Sequence, residues 1–435
     1  MPTEIKLNKR NFANLSAAID AAEMKSRILN SDLINYYGCD AIESFFISRV
    51  IPRGHEGFVV QYRTTLRRSG TNHLQKQDLW GRLYGPKEKV REDEVVGNKY
   101  VVYFPDIRLT IPVFPYDPEI PYLRAYIDMP AASTAFLAQI PDLFDKNCRI
   151  ISREILGYRI GRRAVIRYTW QSKQEAAEIV LKLIRPEDSQ RNKNSALLEK
   201  LKSGESHQGW PDMPRIYYYD FVNGIFIMES IKGSSLHDLL AENEFSGACE
   251  SAGKLIKQLH SRNHFGLPSY SQVNELEGLA KNSRIFSAIF PEWSAKLLNV
   301  QELLIAKIDV AKNYSDSGII HRDFYDKQVL YSTPRVSLID CENLYLGDPA
   351  IDYGNFLAHL ELRKLQEPAL SRNIKAGESS FIDSYGSPAG NFAQRSEWWK
   401  AAALIRLSIL YALRPRWNSI SPDILNLAET ILMKI

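Results

Sequence analysis

His321-Arg322-Asp323 ends an apolar run, Ile319-Ile320, and is followed by Phe324-Tyr325-Asp326-Lys327-Gln328-Val329-Leu330. A second apolar run, Val336-Ser337-Leu338-Ile339, ends in Asp340-Cys341-Glu342, and Gly347-Asp348-Pro349 and Asp352 come next. Read as strand, turn and strand, this pattern brings the Asp323 carboxylate, the Gln328 amide and the Asp340 carboxylate to one edge of the chain. Phosphoryl transfer needs such a set. One carboxylate orients or deprotonates an acceptor hydroxyl, and hard oxygen ligands hold magnesium on the β- and γ-phosphates. A charged triplet in a turn is common and says little alone. The whole string, with Asp340 and Gly347-Asp348-Pro349 at these distances and in these strand contexts, is a far more specific signal.

Lys182 interrupts the apolar run Ile179-Val180-Leu181-Lys182-Leu183-Ile184. An ammonium among such residues is costly unless its charge is paired, and nucleotide phosphates together with a helix glutamate would pair it. Glu199 in Ser195-Ala196-Leu197-Leu198-Glu199 is the candidate glutamate, with Glu205 nearby; an edge lysine with its head in water and a surface glutamate fit the same residues. Gly157-Tyr158-Arg159-Ile160-Gly161-Arg162-Arg163 lies where a nucleotide-covering turn is expected. Gly157 and Gly161 permit close backbone approach and the arginines suit phosphate, although a plain β-hairpin with solvated arginines reads equally well. Gly224 to Ile231 reads as a strand entering a hinge, where the backbone near Glu229 and Ile231 would meet adenine. Ser235 and Asp238 form a capping-box variant expected to start the next helix, and His260 reads as a buried packing histidine.

The segment from His321 to Asp352 resembles the aminoglycoside phosphotransferase and choline kinase group, which shares its fold with protein kinases. That group's pattern runs H-G-D, four residues, N, then I-D and G-D-P. The resemblance implies that Asp323 is the catalytic base, Gln328 the amide ligand of magnesium and Asp340 the carboxylate bridging the metals. It implies further that Glu342 is an outer metal ligand, as in choline kinases, that Asp352 supports the catalytic loop from behind, and that His321 holds that loop in shape. ATP, or GTP, and Mg2+ are the implied cofactors. The implied acceptor is a small-molecule hydroxyl on a sugar, aminoglycoside or amino alcohol. Arg322 stands where the group has glycine, as protein kinases do, and Gln328 adds a methylene to the usual asparagine. The wording D-F-Y-x-x-Q-V-L is associated with a bacterial subgroup in which glutamine is ordinary.

Two other readings stay open, a catalytically degenerate binding or scaffolding protein and an atypical protein kinase. Retention of Lys182, Asp323 and Asp340 opposes the first. Tyr325, where protein kinases carry lysine, and the few residues between Asp340 and Gly347 oppose the second, because a peptide-docking segment needs more chain.

The elements that must position these residues fall into three regions, 1–140, 141–230 and 231–435, in a chain of 435 residues that is too long for one ordinary core. The first region begins with a helix expected from Leu15 to Arg27, followed by β-like runs at Gly57 to Leu66, Gln77 to Tyr84 and Lys99 to Phe104. Pro112, Pro115, Pro118 and Pro121 then read as an extended connector outside the sheet, since each lacks a ladder donor. The second region repeats the β pattern and adds a helix near Ser195 to Lys202; the third is helical in period apart from a β-like patch at Val329 to Leu346. This is an α+β plan: a bilobal protein-kinase-like fold with a small β-rich N-lobe and a larger helical C-lobe, preceded by an extra N-terminal β-containing domain.

An internal similarity crosses the first boundary. Ser48-Arg49, Val59 to Arg63 and Arg82-Leu83-Tyr84-Gly85-Pro86 match Ser152-Arg153, Val165 to Tyr168 and Lys182-Leu183-Ile184-Arg185-Pro186. It reflects either a degenerate duplicate of the N-lobe, with Arg82 in the place of Lys182, or chance alignment of β-rich sequence. Phe286, Phe290, Trp293 and Trp398 either line an acceptor pocket or belong to the core.

Composition narrows the partners. A net charge of +4 from 55 basic and 51 acidic residues offers no broad field for nucleic acid. The four cysteines lie far apart, which argues against a zinc site or a disulfide framework and fits a reducing cytoplasm. The opening MPTEIKLNKRNF has charges where an export signal needs an apolar core, and Ala401 to Leu413, broken by Arg406, is too short to cross a bilayer. A cytoplasmic protein without nucleic-acid or membrane partners is expected.

Overall fold

The computed structural model describes residues 13–53, 57–90, 95, 97–128, 149–171, 176–191, 210–262, 266–312, 317–386 and 390–435. The first helical segment divides into α1 (Ala13–Ala18) and α2 (Ala21–Leu29), not one helix. Asp20 separates them: its carboxylate accepts the amides of Ala22 at 3.0 Å and Glu23 at 2.9 Å and so starts a new helix. Five antiparallel strands follow, β1 (Cys39–Arg53), β2 (Gly57–Arg68), β3 (Leu74–Leu83), β4 (Val101–Phe104) and β5 (Leu109–Pro112), in the order β1-β2-β3-β5-β4. Strand β1 is hidden in the sequence because register shifts at Cys39/Ala41, Ile42/Ser44 and Ile47/Arg49 break its alternation. Pro112 belongs to this sheet, a correction to the connector reading. It pairs with Val101 at the end of β5, beyond Leu109 and Thr110, the only β5 residues that pair with β3.

The second sheet has β6 (Arg149–Arg159), β7 (Arg163–Gln171), β8 (Ala176–Ile184), β9 (Ile216–Asp220) and β10 (Ile225–Glu229), ordered β6-β7-β8-β10-β9. The two sheets therefore share one strand order. They also share a register: Arg82 lies between Val59 and Thr110 as Lys182 lies between Val165 and Phe226. Period-two alternation in β8 turns Ile179, Leu181 and Leu183, all fully buried, into the core of the N-lobe. Lys182 faces the other way, toward the cleft.

The C-lobe is built from α3 (Phe245–His260), α4 (Gln272–Ile289), α5 (Pro291–Ala306), α6 (Ala350–Gln366), α7 (Ser371–Tyr385), α8 (Asn391–Ala412) and α9 (Ser421–Leu432). Short strands carry its site: β11 (Ser234–Ser235), β12 (Gly318–Ile320), β13 (Val329–Ser332), β14 (Arg335–Leu338) and β15 (Tyr345–Gly347). Ser235 and Asp238 bond to one another at 2.6 Å in a turn, and the next helix begins only at Phe245, so this pair caps no helix. Helix α8 is enclosed along most of its length, which explains its apolar run. Phe286, Phe290 and Trp398 are buried in the core with it, which removes them as pocket lining. That core continues through Met24, Ile28 and Tyr62, so the N-terminal β unit and the C-lobe share one apolar interior. The Val50 amide donates to the Leu413 carbonyl at 2.9 Å and fixes β1 against the end of α8. Among the described residues, no helix is long and apolar enough to cross a membrane.

Candidate active site

Strand β12 ends in His321, and the loop beyond it is held by one carboxylate. Asp352, fully buried in the first turn of α6, accepts the His321 amide at 2.6 Å and the Arg322 amide at 2.7 Å. His260 donates to the same carboxylate from Nε2 at 3.0 Å, and its Nδ1 lies 3.0 Å from the Tyr385 hydroxyl. The histidine taken as packing is thus part of the loop's support. Arg322 has φ of 68°, a left-handed conformation that glycine adopts without strain. Its guanidinium is exposed and lies over Tyr270 at 4.7 Å and Tyr345 at 5.4 Å, with Nη1 3.3 Å from the Tyr345 hydroxyl. His321 Nε2 donates to the Ile339 carbonyl at 2.9 Å and ties the loop to the segment carrying Asp340.

Asp340 also has φ of 68° and stands at the meeting point of the charged groups. The Lys182 ammonium contacts both Asp340 and Glu342, Arg163 Nη1 lies 3.2 Å from Asp340 Oδ2, and Gln328 Nε2 lies 3.4 Å from the same oxygen. Burial would raise the Asp340 carboxyl, but Lys182 and then Arg163 overcome it and hold that carboxyl well below the usual range. Burial pushes the Lys182 ammonium down, partly offset by Asp340. Asp323 is exposed on the loop and hydrogen-bonds to no described residue; partial desolvation raises its carboxyl against the opposing pull of Arg406. Arg406 projects from α8 and bonds Glu275 at 2.7 Å and Asn355 at 2.6 Å. Behind the loop, Asp326 is fully buried and bound twice by Arg363, at 2.7 and 3.0 Å. The site is therefore one rigid loop with a free carboxylate at its tip and a second acidic centre already matched by cations.

The pattern of the phosphotransferase enzyme family matches residues 162–387, more than half of the chain. The chain belongs to the phosphotransferase enzyme family. Solved structures similar to it include a choline/ethanolamine kinase family protein from Mesorhizobium loti, 14% identical over 70% of this chain and 92% of that one, with a TM-score of 0.46. Choline kinase LicA from Streptococcus pneumoniae is 15% identical over 70% and 100%, TM-score 0.46, and a spectinomycin phosphotransferase solved with ADP and spectinomycin is 12% identical over 69% and 97%, TM-score 0.44. No curated protein matches the chain in sequence. In this family member the matched span runs from the β6–β7 turn to just past α7 and contains Lys182, Asp323, Gln328, Asp340 and Glu342; the first sheet lies before it.

The donors around Asp340 suit a hard divalent cation. Two carboxylates, Asp340 and Glu342, converge closely enough to share one ammonium, and the Gln328 amide adjoins them. No group of three or more His, Cys, Asp or Glu side chains poised for a metal occurs among the described residues.

Other expected residues sit elsewhere. Gly161 lies at the tip of the β6–β7 turn with φ of 59°, and its amide donates to Asp117 Oδ2 at 2.7 Å, so it is already engaged and not turned toward a phosphate. Gly157 sits within β6 opposite Val165. Glu229 accepts the Arg215 amide at 3.2 Å and pairs with Arg335 at 3.5 Å, while Ile231 is buried beyond it. Glu199 lies outside the described residues, and Lys182 takes Asp340 and Glu342 as its partners. Arg163, expected among the turn arginines that suit phosphate, instead meets Asp340, and sequence reasoning missed Arg406 and Asp117 as site residues. The charge of Arg406 inside the otherwise apolar run Ala401 to Leu413 was the available signal; Asp117 left none.

Proposed function

We propose that this chain transfers the γ-phosphoryl group of ATP to a hydroxyl of a small molecule. The observation that carries this reading is Asp323. It is an unpaired carboxylate at the tip of a clamped loop, facing the cleft beside the Lys182, Asp340 and Glu342 cluster. In this reading Asp323 takes the proton of the acceptor hydroxyl as that oxygen bonds to the γ-phosphorus, and the bond to the β-phosphate oxygen breaks to release ADP. Lys182 exchanges its two carboxylates for the α- and β-phosphates when nucleotide enters. Gln328, Asp340 and Glu342 are the residues that would hold Mg2+, which supplies neutralisation of phosphate charge when bound.

GTP fits the same charges as ATP. We read the chain as an extra N-terminal domain over 1–140, a kinase-like N-lobe over 141–230 and a helical C-lobe over 231–435. The described cysteines Cys39, Cys249 and Cys341 are buried free thiols, which suits a cytoplasmic setting.

The test is release of ADP from Mg-ATP by wild type, Asp323→Asn and Asp340→Asn, each checked for folding by circular dichroism. Loss of at least 100-fold in both variants is expected. Equal residual turnover in all three would sink the enzyme reading and favour a binding or scaffolding role.

A further inference from the structure

We propose that the acceptor is an anion, a hydroxy compound carrying a carboxylate or phosphate, and that Arg49, Arg159 and Arg414 receive its acidic group. This rests on the phosphotransferase reading and narrows its acceptor away from aminoglycosides and amino alcohols.

Three parts of the chain bring these arginines together. The bond from the Val50 amide to the Leu413 carbonyl, 2.9 Å, sets Arg49 of β1 beside Arg414 at the end of α8. The Arg49 guanidinium lies 5.6 Å over the ring of Trp80, whose edge meets Tyr158 at 6.0 Å, and Tyr158 precedes Arg159. Arg159 is the direct cross-strand partner of Arg163, which reaches Asp340. Like charges directly opposite one another destabilise a ladder, so the pair is an expense to the hairpin rather than a support.

No carboxylate among the described residues hydrogen-bonds to any of the three. Arg49 is held by Gln61 at 2.6 Å; the nearest acid, Asp78, is itself bonded to Gln61 and paired with Arg63. Arg414 is stacked on Tyr411 at 4.1 Å. Burial first, then Arg162, Arg49, Arg163 and Arg53, pull the Arg159 guanidinium down to about 10, with no acid prominent in opposition. By contrast Arg53 has Glu119 and Arg185 has Asp188. Half-buried guanidinium groups gathered without counter-ions are the arrangement that binds carboxylate or phosphate.

The cluster borders the transfer site. Arg414 is an electrostatic neighbour of Lys327 on the catalytic loop and of His359, and the His359 ring lies 4.4 Å from that of Tyr325, two residues after Asp323. Arg406 and Arg322 add positive charge beside Asp323 itself. Acids near it are committed, Glu275 to Arg406 and Tyr270, and Asp326 to Arg363. A cationic acceptor would meet like charge on the side of Arg49, Arg159 and Arg414, which is discrimination by repulsion.

The experiment uses the full chain saturated with Mg-AMPPNP and follows thermal unfolding on adding inorganic phosphate, gluconate, glucose or choline, with ionic strength held constant by sodium chloride. A rise in Tm of about 2 °C at saturating phosphate or gluconate is expected, with none for glucose or choline. Arg49→Gln and Arg414→Gln, measured separately, should each abolish that rise while keeping the rise caused by Mg-AMPPNP. A response to gluconate alone assigns a carboxylate, and a response to phosphate alone assigns a phosphate. The proposal is overturned if neither anion exceeds chloride, if both variants respond as wild type does, or if choline stabilises more than either anion. Failure of Mg-AMPPNP to raise Tm at all would instead count against the phosphotransferase reading.

Discussion

The carboxylate of Asp117 accepts the Gly161 amide at 2.7 Å, so the segment before the second sheet grips the tip of the β6–β7 turn. The same carboxylate accepts the Tyr158 hydroxyl at 2.9 Å and the Glu119 amide at 2.9 Å, and Arg53 lies against the turn. In the function proposed above this turn would cover the nucleotide, and here its freedom is limited by a residue 44 positions away. Asp117→Ala removes the acceptor from a buried amide, at a cost of about 1–3 kcal/mol. The expected outcome is a lower Tm together with a several-fold weaker affinity for Mg-ADP, measured by calorimetry. An unchanged ADP affinity in a destabilised variant would show that the turn is positioned by its other contacts.

Arg322 occupies a left-handed backbone position, φ of 68°, while its amide is bound to Asp352. A comparison of Arg322→Gly with Arg322→Ala isolates the backbone term, because both lose the stacking on Tyr270 and Tyr345 and differ only in strain. Glycine should be the more stable by about 1 kcal/mol, read from urea denaturation midpoints. Alanine equal to or more stable than glycine would mean that the loop relaxes out of the left-handed region once the guanidinium is gone.

What was legible in the sequence follows physical range. Spacing within one stretch of chain singled out Asp323, Gln328 and Asp340 as a candidate set, and the loop between two short strands brings Gln328 against Asp340 by local geometry. Lys182 was legible because an ammonium in an apolar strand needs a reason. The shared strand order of the two sheets was visible only as a faint similarity, with Arg82 matched to Lys182. Strand β1 was not visible, because its bulges shift the facing pattern within one strand. The partners of the Gly161 amide and of the Val50 amide come from distant segments, and no periodicity announces such contacts. Pro112 misled because a missing donor matters only where a neighbouring strand requires it.

The His359 ring packs against that of Tyr325 and is buried, with Asp326, Arg363, Arg406 and Arg414 as its charged neighbours. Burial first, against Asp326 and with the three arginines, pushes its imidazole down to about 3. The unfolded chain protonates this group near 6.5, so between about pH 6.5 and 3 the unfolded state binds a proton that the native state refuses. Stability is therefore lost as pH falls through that window and is unaffected by this group above it. Replacing His359 by Gln should reduce the fall in unfolding free energy between pH 7 and pH 4.5 by about 1–2 kcal/mol relative to wild type. Parallel pH profiles for the two proteins would refute a neutral buried imidazole.

Gln328 differs from the asparagine of the wider group by one methylene, and its amide lies 3.4 Å from Asp340 with the side chain 6% exposed. The loop is fixed at both sides of this residue. The Gln328 amide donates to the Tyr325 carbonyl at 2.9 Å and the Gln328 carbonyl accepts the Ile339 amide at 2.9 Å. Its backbone therefore cannot advance to compensate for a shorter side chain. Gln328→Asn, although it restores the commoner residue, should withdraw the amide from the acidic centre and leave a small void, at a cost of about 1 kcal/mol. The Mg2+ concentration for half-maximal ADP release should rise several-fold, with little change in the affinity for metal-free nucleotide. If Asn lowers that Mg2+ requirement instead, the amide does not serve the cation from the position that Gln328 holds here.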